Sequence, residues 1–197
     1  GANTDTITVT VNLQDVNEFS PVFGDADGDG ESSTATATPN ENQQAVGTYA
    51  ATDADGSATQ TYSILTAAQN AASVDHDLFS VAGGGVLTFQ ASPNYEDAGC
   101  GAGDNSNTCA VVIQVTDGAN TDTITVTVNV QDVNEAAPVF TAGETGTSTP
   151  NEGTTAAGTF AATDTDGTAT QTYSILTAEQ NAASVDHDLF SVAGGGV

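Results

Sequence analysis

The sequence predicts an all-β fold built from tandem β-sandwiches, and three features of the chain support this prediction. Apolar and polar residues alternate over several short segments, most clearly where Ile124, Val126 and Val128 are separated by threonines. Such alternation is typical of a strand with one buried and one solvated face. Turn-forming residues separate these segments, and long stretches of sequence recur along the chain.

Several segments have the length and pattern of strands: 45–51, 60–64, 78–81, 86–89, 110–115 and 122–131. About seven short strands in about a hundred residues are typical of a β-sandwich. The alanine-rich segment 65–77 is predicted to form a short helical turn between two strands. Residues 24–38 are rich in turn formers and their counterpart at 141–149 is shorter, so both segments are predicted to be surface loops.

The repeats define the predicted domain organisation. Residues 1–12 recur unchanged at 118–129, and residues 60–86 recur at 171–197 with Glu179 in place of Ala68 as the single difference. Repeats of this length are whole domains arranged in tandem. We therefore predict that residues 1–18 are the last strand and linker of a preceding repeat. Residues 19–135 are then a complete repeat, and residues 136–197 are the truncated N-terminal half of the next.

The chain is strongly acidic, with 26 Asp and Glu residues and no Lys or Arg. Nucleic acids and anionic membrane surfaces are normally bound through Lys and Arg, so neither is predicted to be a partner. The charge balance instead favours a cation as the binding partner. Disorder is the alternative for an acidic chain, but the regular apolar alternation argues against it. No apolar run of about 18 residues is present, so we predict no membrane insertion.

The two cysteines, Cys100 and Cys109, have no second Cys or His at the spacing of a metal site. A local disulfide is the favoured interpretation. Its persistence requires an oxidising compartment, which predicts an extracellular or cell-surface location.

Two stretches place acidic residues between a strand-like run and a proline. Further acidic motifs follow in a fixed order. The linker motifs are "DVNEFSPVF" at Asp15 and "DVNEAAPVF" at Asp132, and the others are "TPNEN" with Glu41, "ATDADG" with Asp53 and Asp55, "NYE" with Glu96, and "VTDG" with Asp117. Together they resemble tandem cadherin-type repeats of the bacterial kind, from large cell-surface proteins. The resemblance implies Greek-key β-sandwiches with calcium ions at the junctions between successive domains.

The resemblance implies two groups of calcium ligands, one at each junction. The junction within the chain would use Glu41, Asn94, Glu96, Asp132, Asn134, Glu135, Asp164 and Asp166, and the N-terminal junction would use Asp15, Asn17, Glu18, Asp53, Asp55 and Asp117. Calcium takes about six to eight oxygen ligands, which carboxylates and carbonyls supply. The N-terminal junction lacks the Glu ligands of a preceding domain, so we expect it to bind weakly in isolation. Glu18, Glu135 and Asn94 replace aspartates of the family pattern, which implies fewer ions or weaker binding.

Two other features are weaker candidates for metal binding. The sequence "DADGDG" at 25–30 resembles the start of an EF-hand loop, but Thr36 occupies the position where such a loop has Glu. His76 and His187 occupy the same place in two copies of "SVDHDLF", without a neighbouring Cys or His, and are predicted to be turn residues.

The leading functional hypothesis is a calcium-stiffened, extracellular tandem-repeat segment of a bacterial surface adhesin, stalk or fibre. Its partners would be the neighbouring repeats and other copies of itself, with a glycan or cell-surface receptor as a further candidate. The alternative is a polysaccharide-binding module, although such modules need exposed aromatic platforms and the chain has no Trp. The absence of Lys, Arg and any catalytic grouping argues against an enzyme.

Overall fold

The computed structural model describes residues 1–24, 34–55, 59–97, 99–100, 106–143, 145–167 and 170–193. The chain divides into two compact units, Gly1–Gln131 (unit 1) and Asp132–Val197 (unit 2). Within the described ranges, no helix is long and apolar enough to cross a membrane.

Unit 1 is made of short strands. They are β1 (Val22–Phe23), β2 (Thr34–Ala37), β3 (Ala45–Thr48), β4 (Ala51–Thr52), β5 (Thr61–Ile64), β6 (Phe79–Ala82), β7 (Val86–Phe89), β8 (Thr108–Thr116) and β9 (Thr121–Asn129), with a 3-10 helix at His76–Leu78. A four-stranded sheet has the order β2-β9-β8-β5, a three-stranded sheet has the order β3-β7-β6, and β1 pairs with β4. The β8–β9 hairpin is the longest pairing, from Thr108 opposite Asn129 to Thr116 opposite Thr121.

The core lies between the two main sheets. Alternate residues of β8 and β9, such as Val111, Ile113 and Val126, are fully buried and belong to one cluster with Leu87 and Phe89 of the smaller sheet. Each large apolar side chain buried in this way contributes roughly 1.5 to 3 kcal/mol. The predicted all-β sandwich is therefore confirmed.

The prediction of a loop over residues 24–38 was wrong in its last part. Thr34–Ala37 forms β2, which pairs in parallel with β9. Ala35 is 4% exposed and packs in the core, while Thr34 and Thr36 face outward. A strand with alanine on its inner face lacks the large apolar residues that mark a strand in sequence. The EF-hand-like stretch 25–30 lies outside the described residues.

The predicted strand at 45–51 is interrupted at Tyr49. β3 ends at Thr48, and the Tyr49 N–H donates to the Gly85 carbonyl at 2.8 Å. Gly85 has φ +78°, and a Cβ there would lie 1.8 Å from the Tyr49 carbonyl oxygen. The two backbones approach this closely only because residue 85 is a glycine. The chain resumes as β4, which belongs to a different pairing.

The segment at 65–77 forms turns that lead into the 3-10 helix, and it covers part of the edge of β8. The Asp75 N–H donates to the Ala110 carbonyl at 3.1 Å, and the Ala110 N–H donates to Asp75 Oδ2 at 2.7 Å. The Val112 N–H donates to Ser73 Oγ at 3.0 Å. These bonds satisfy backbone groups of β8 at positions beyond the end of β5. They protect a strand edge that would otherwise be open to pairing.

Unit 2 contains β10 (Val139–Phe140), β11 (Ala162–Thr163) and a 3-10 helix at His187–Leu189. β10 and β11 pair in the same register as β1 and β4, with Val139 opposite Thr163. Phe140 is 49% exposed and Phe190 is 57% exposed, whereas Phe23 and Phe79 at the same places in unit 1 are buried. The described part of unit 2 thus keeps the local turns of unit 1 but not its core.

Candidate metal centres

Unit 1 holds a group of predicted ligands that we call the N-terminal cluster: Asn17, Asp53, Asp55 and Asp117. Asn17 lies before β1, Asp53 and Asp55 follow β4, and Asp117 follows β8. The amide group of Asn17 lies 3.1 Å from Oδ2 of Asp55 and 3.1 Å from Oδ2 of Asp117, and its nitrogen donates to both in the favourable orientation. Asn17, Asp55 and Asp117, which are far apart in sequence, therefore lie close together.

The two aspartates after β4 are fixed by backbone hydrogen bonds. Asp53 Oδ1 accepts from the Asp55 N–H at 2.9 Å, which is a local Asx turn. Asp55 is 6% exposed, and its Oδ2 accepts from the Phe19 N–H at 2.7 Å. Asp53 Oδ2 is buried and has no hydrogen-bond partner within the described part of the chain.

Asp117 is held by the turn between β8 and β9. Its Oδ1 accepts from the Asn120 N–H at 2.6 Å and from the Ala119 N–H at 2.7 Å. The Asn120 hydrogen bond is the largest of the effects that lower the pKa of Asp117. The Asn120 side chain also donates to the Phe19 carbonyl at 3.0 Å, so it ties this turn to the linker. Sequence reasoning missed Asn120, because its partner Phe19 is 101 positions away and no local signal marks the contact.

A second group in unit 1, which we call the Glu41 cluster, contains Glu41, Asn94 and Glu96. Glu41 is 1% exposed, and its Oε2 accepts from the Tyr95 N–H at 2.8 Å. A carboxylate oxygen of Glu41 and one of Glu96 lie within 4.8 Å of each other. Asn94 Oδ1 accepts from the Glu96 N–H at 3.0 Å, in the same kind of turn as Asp53. The chain has no Lys or Arg, so no side chain of these two types can pair with the buried Glu41 carboxylate.

The Glu41 cluster adjoins the last residue of unit 1. The Glu41 N–H donates to the Gln131 carbonyl at 3.0 Å, and the Asn42 N–H donates to the Pro93 carbonyl at 2.9 Å. The strand that ends at Asn129 and the loop that carries Glu96 are therefore both joined to the segment around Glu41.

Unit 2 repeats the aspartate pair. Asp164 Oδ1 accepts from the Asp166 N–H at 3.1 Å, and Asp166 Oδ2 accepts from the Ala136 N–H at 2.6 Å. Asp166 is 1% exposed. The remaining predicted ligands are Asp15 and Glu18, which are exposed in unit 1, and Asp132, Asn134 and Glu135, which lie in the linker at the start of unit 2. That residues of both units share one metal centre remains a prediction.

The disulfide predicted between Cys100 and Cys109 is present. Cys109 lies in β8 and is fully buried, and Cys100 is 4% exposed. The disulfide therefore joins the loop between β7 and β8 to β8, a central strand of the four-stranded sheet.

Comparison with family models finds no match, and comparison with curated proteins also finds none. Solved structures do match. Human Protocadherin-24 EC1-2 is 21% identical, with a TM-score of 0.59 over 90% of this chain and 77% of that chain. Human CDH23 EC21-23 is 19% identical, with a TM-score of 0.50 over 78% of this chain and 48% of that chain. The Protocadherin GammaB4 extracellular domain is 20% identical, and the match covers 65% of this chain and 18% of that one, with a TM-score of 0.47. The first two matches show that the chain has a cadherin-like β-sandwich fold.

Proposed function

We propose that the chain is an extracellular segment of a bacterial surface adhesin, stalk or fibre in which calcium stiffens the junctions between tandem repeats. The repeats would be divided at residues 18 and 135, with neighbouring repeats and other copies of the chain as partners. The cadherin-like fold and the recurrence of residues 1–12 at 118–129 support this organisation. The observation that carries the proposal is the approach of Asn17 to Asp55 and Asp117, beside a buried Asp53 oxygen that has no partner in the described part of the chain.

The N-terminal cluster fits a calcium ion by its donor set. Asp53 Oδ2 is buried and has no partner in the described part of the chain, which is costly for a carboxylate oxygen unless a cation binds it. If the Asn17 amide turns over, its oxygen points at Asp55 and Asp117, so that oxygens of these three residues lie near one another. Calcium prefers six to eight such oxygens at about 2.3 to 2.6 Å. Asp15 and Glu18 lie in the same short linker and would add further oxygens to the set.

We assign the Glu41 cluster to a second centre with the linker and the aspartate pair of unit 2. Its ligands would be Glu41, Asn94, Glu96, Asp132, Asn134 through its carbonyl, Glu135, Asp164 and Asp166. Chain connectivity supports this assignment, because Asp132 directly follows Gln131, whose carbonyl accepts from the Glu41 N–H at 3.0 Å. The linker therefore leaves unit 1 next to a buried carboxylate.

The same charges explain why the metal would stiffen a junction. Without a cation, clustered carboxylates repel one another and favour an open arrangement. A bound ion reverses the sign of the interaction and holds linker and domain residues together. At about a hundred times its dissociation constant, each ion would add roughly 2.7 kcal/mol to the bound arrangement.

The test is a calcium titration followed by calorimetry and thermal unfolding, with small-angle scattering to measure stiffness. We expect binding with a dissociation constant of about 0.1 to 1 mM, a higher melting temperature and a narrower distribution of interdomain distances. Asp53→Asn should weaken binding at the N-terminal cluster. Asp77→Asn is the matched control, because the Asp77 side chain is 90% exposed. A chain that binds no calcium and melts at the same temperature with and without it would refute the proposal.

A further inference from the structure

The disulfide-closed segment contains a residue that touches both the Glu41 cluster and the end of β9. We propose that Asn107 and the Cys100–Cys109 disulfide are positioning elements of the Glu41 cluster, and that its calcium affinity depends on them. This inference rests on the calcium binding proposed above, and it assigns a role to residues that are not metal ligands.

The first step is the contact made by the Asn107 side chain. Its Nδ2 donates to the Tyr95 carbonyl at 2.9 Å. The N–H of the same residue, Tyr95, donates to Glu41 Oε2 at 2.8 Å. Tyr95 is thus held on one side by the buried carboxylate and on the other by Asn107. Glu96 directly follows Tyr95, so Asn107 helps to position the backbone from which the Glu96 side chain extends.

The second step is the backbone of Asn107. Its carbonyl accepts from the Val130 N–H at 2.9 Å. Val130 is the residue before Gln131, whose carbonyl accepts from the Glu41 N–H. Asn107 therefore joins the loop that carries Glu96 to the end of the strand that leads to the linker. Its side chain thus holds the loop that carries Glu96, and its carbonyl holds the chain just before Gln131.

The third step is what fixes Asn107 itself. Its neighbour Ser106 forms a short antiparallel bridge with Cys100, with N···O distances of 3.0 and 3.3 Å. On the other side β8 begins at Thr108, and the fully buried Cys109 pairs with Val128. The disulfide closes this arrangement, because it ties Cys100 to β8 within a loop that spans nine positions in sequence. The disulfide thus adds a covalent link to the Cys100–Ser106 backbone hydrogen bonds.

The position of this loop matters because the ligands of the Glu41 cluster differ in how firmly packing fixes them. Glu41 is buried, but Glu96 and Asn94 are exposed, so packing does not fix their positions. A ligand set that is already arranged loses less conformational freedom when the ion binds. Residues that orient metal ligands typically change metal affinity by about 10- to 100-fold when they are replaced.

The N-terminal cluster supplies an internal control, because other elements position it. Asn120 Nδ2 donates to the Phe19 carbonyl at 3.0 Å, which is the same type of contact as that of Asn107 with Tyr95. Asn107→Ala should therefore affect the Glu41 cluster, and Asn120→Ala should affect the N-terminal cluster. Cys100→Ala/Cys109→Ala tests the disulfide separately, and Asn107→Ala keeps it intact.

The experiment is a calcium titration of the full chain followed by NMR of backbone amides. The Tyr95 and Glu96 amides report on one cluster, and the Asp53 and Asp55 amides report on the other. We expect Asn107→Ala and the double cysteine variant to raise the dissociation constant read at Tyr95 by about 10-fold or more, with that at Asp55 unchanged. In calcium-free protein, the Tyr95 amide should also exchange its hydrogen faster in both variants.

Three results would overturn the inference. The first is an unchanged dissociation constant at Tyr95 in both variants, and this would leave the proposed function standing. The second is an equal loss at both clusters, because it would show general destabilisation instead of positioning. The third is a wild-type chain whose amides do not respond to calcium, and this would remove the proposed function and the inference together.

Discussion

Replacing Glu41 by Gln should stabilise the calcium-free protein and reduce the stabilisation that the proposed calcium ion adds. Gln has nearly the same shape and keeps an oxygen that can accept from the Tyr95 N–H. It removes one negative charge from a position that is 1% exposed. In the calcium-free protein this relieves repulsion, and in the calcium-bound protein it removes a ligand.

The magnitude follows from the distance between the carboxylates of Glu41 and Glu96. Their oxygens lie within 4.8 Å of each other. At that separation two unit charges repel by about 3.5 kcal/mol at an effective dielectric constant of 20, and by about 0.9 kcal/mol in water. Glu96 is exposed, which favours the lower half of this range. The neutral hydrogen bond to Tyr95 is weaker by about 1 kcal/mol, but the cost of burying a charge also disappears. The net stabilisation without calcium is about 1 to 2 kcal/mol.

The stabilisation gained on adding calcium should be smaller in the variant. If the variant binds calcium tenfold more weakly, it loses about 1.3 kcal/mol of the stabilisation available at a hundred times the wild-type dissociation constant. Thermal unfolding in chelator and in calcium measures both effects, since 1 kcal/mol shifts the melting temperature by about 2 to 4 °C in a chain of this size.

Glu152→Gln is the matched control for this experiment. Glu152 occupies the place of Glu41 in the second copy of the motif and is exposed. We expect no measurable change in chelator from this variant. The reasoning fails if Glu41→Gln lowers the melting temperature in chelator and leaves the calcium-induced increase at the wild-type value.

Four further predictions concern unit 1. Gly85→Ala should lower the free energy of unfolding in urea by about 2 to 4 kcal/mol, because a Cβ would lie 1.8 Å from the Tyr49 carbonyl oxygen. Gly84→Ala, with φ +79° and open space, should cost about 1 kcal/mol. Asp75→Ala should cost about 1 to 3 kcal/mol in thermal unfolding, because the Ala110 N–H loses its acceptor. Burial raises the pKa of Tyr49, so its contribution to stability is present below pH of about 10 and is lost as the pH rises to the higher folded-state value. Alkaline unfolding followed by tyrosinate absorbance should show this loss, and Tyr49→Phe should remove it.

The sequence predicted the strands whose inner face is large and apolar. β8 and β9 were recognisable because Ile and Val recur at every second position. β2 was not, because its buried residue is Ala35 and its outer residues are threonines. Its pairing partner, β9, is also far along the chain, and a parallel pairing between distant segments leaves no local signal.

The same distinction applies to the candidate metal centres. Charged residues in short motifs, such as Asp53 and Asp55, could be found because their spacing is local. Asn107 and Asn120 could not, because each acts through a hydrogen bond to a backbone carbonyl. The Asn120 partner, Phe19, is 101 positions away. Neutral residues that position a site are therefore visible only once the strands have brought the segments together.

The two copies of the aspartate pair show which part of a metal centre forms locally. The contacts of Asp55 with Asp53 and Phe19 recur at Asp166 in unit 2, at 3.1 and 2.6 Å in place of 2.9 and 2.7 Å. The turn that carries the aspartate pair and the preceding linker are therefore sufficient to form this half of the metal centre. Asp117 comes from the turn of the β8–β9 hairpin, so it reaches the cluster only when the sandwich has formed. Calcium bound to both halves would stabilise the strand pairing that assembles its own ligands, and metal binding and folding of the repeat should therefore be coupled.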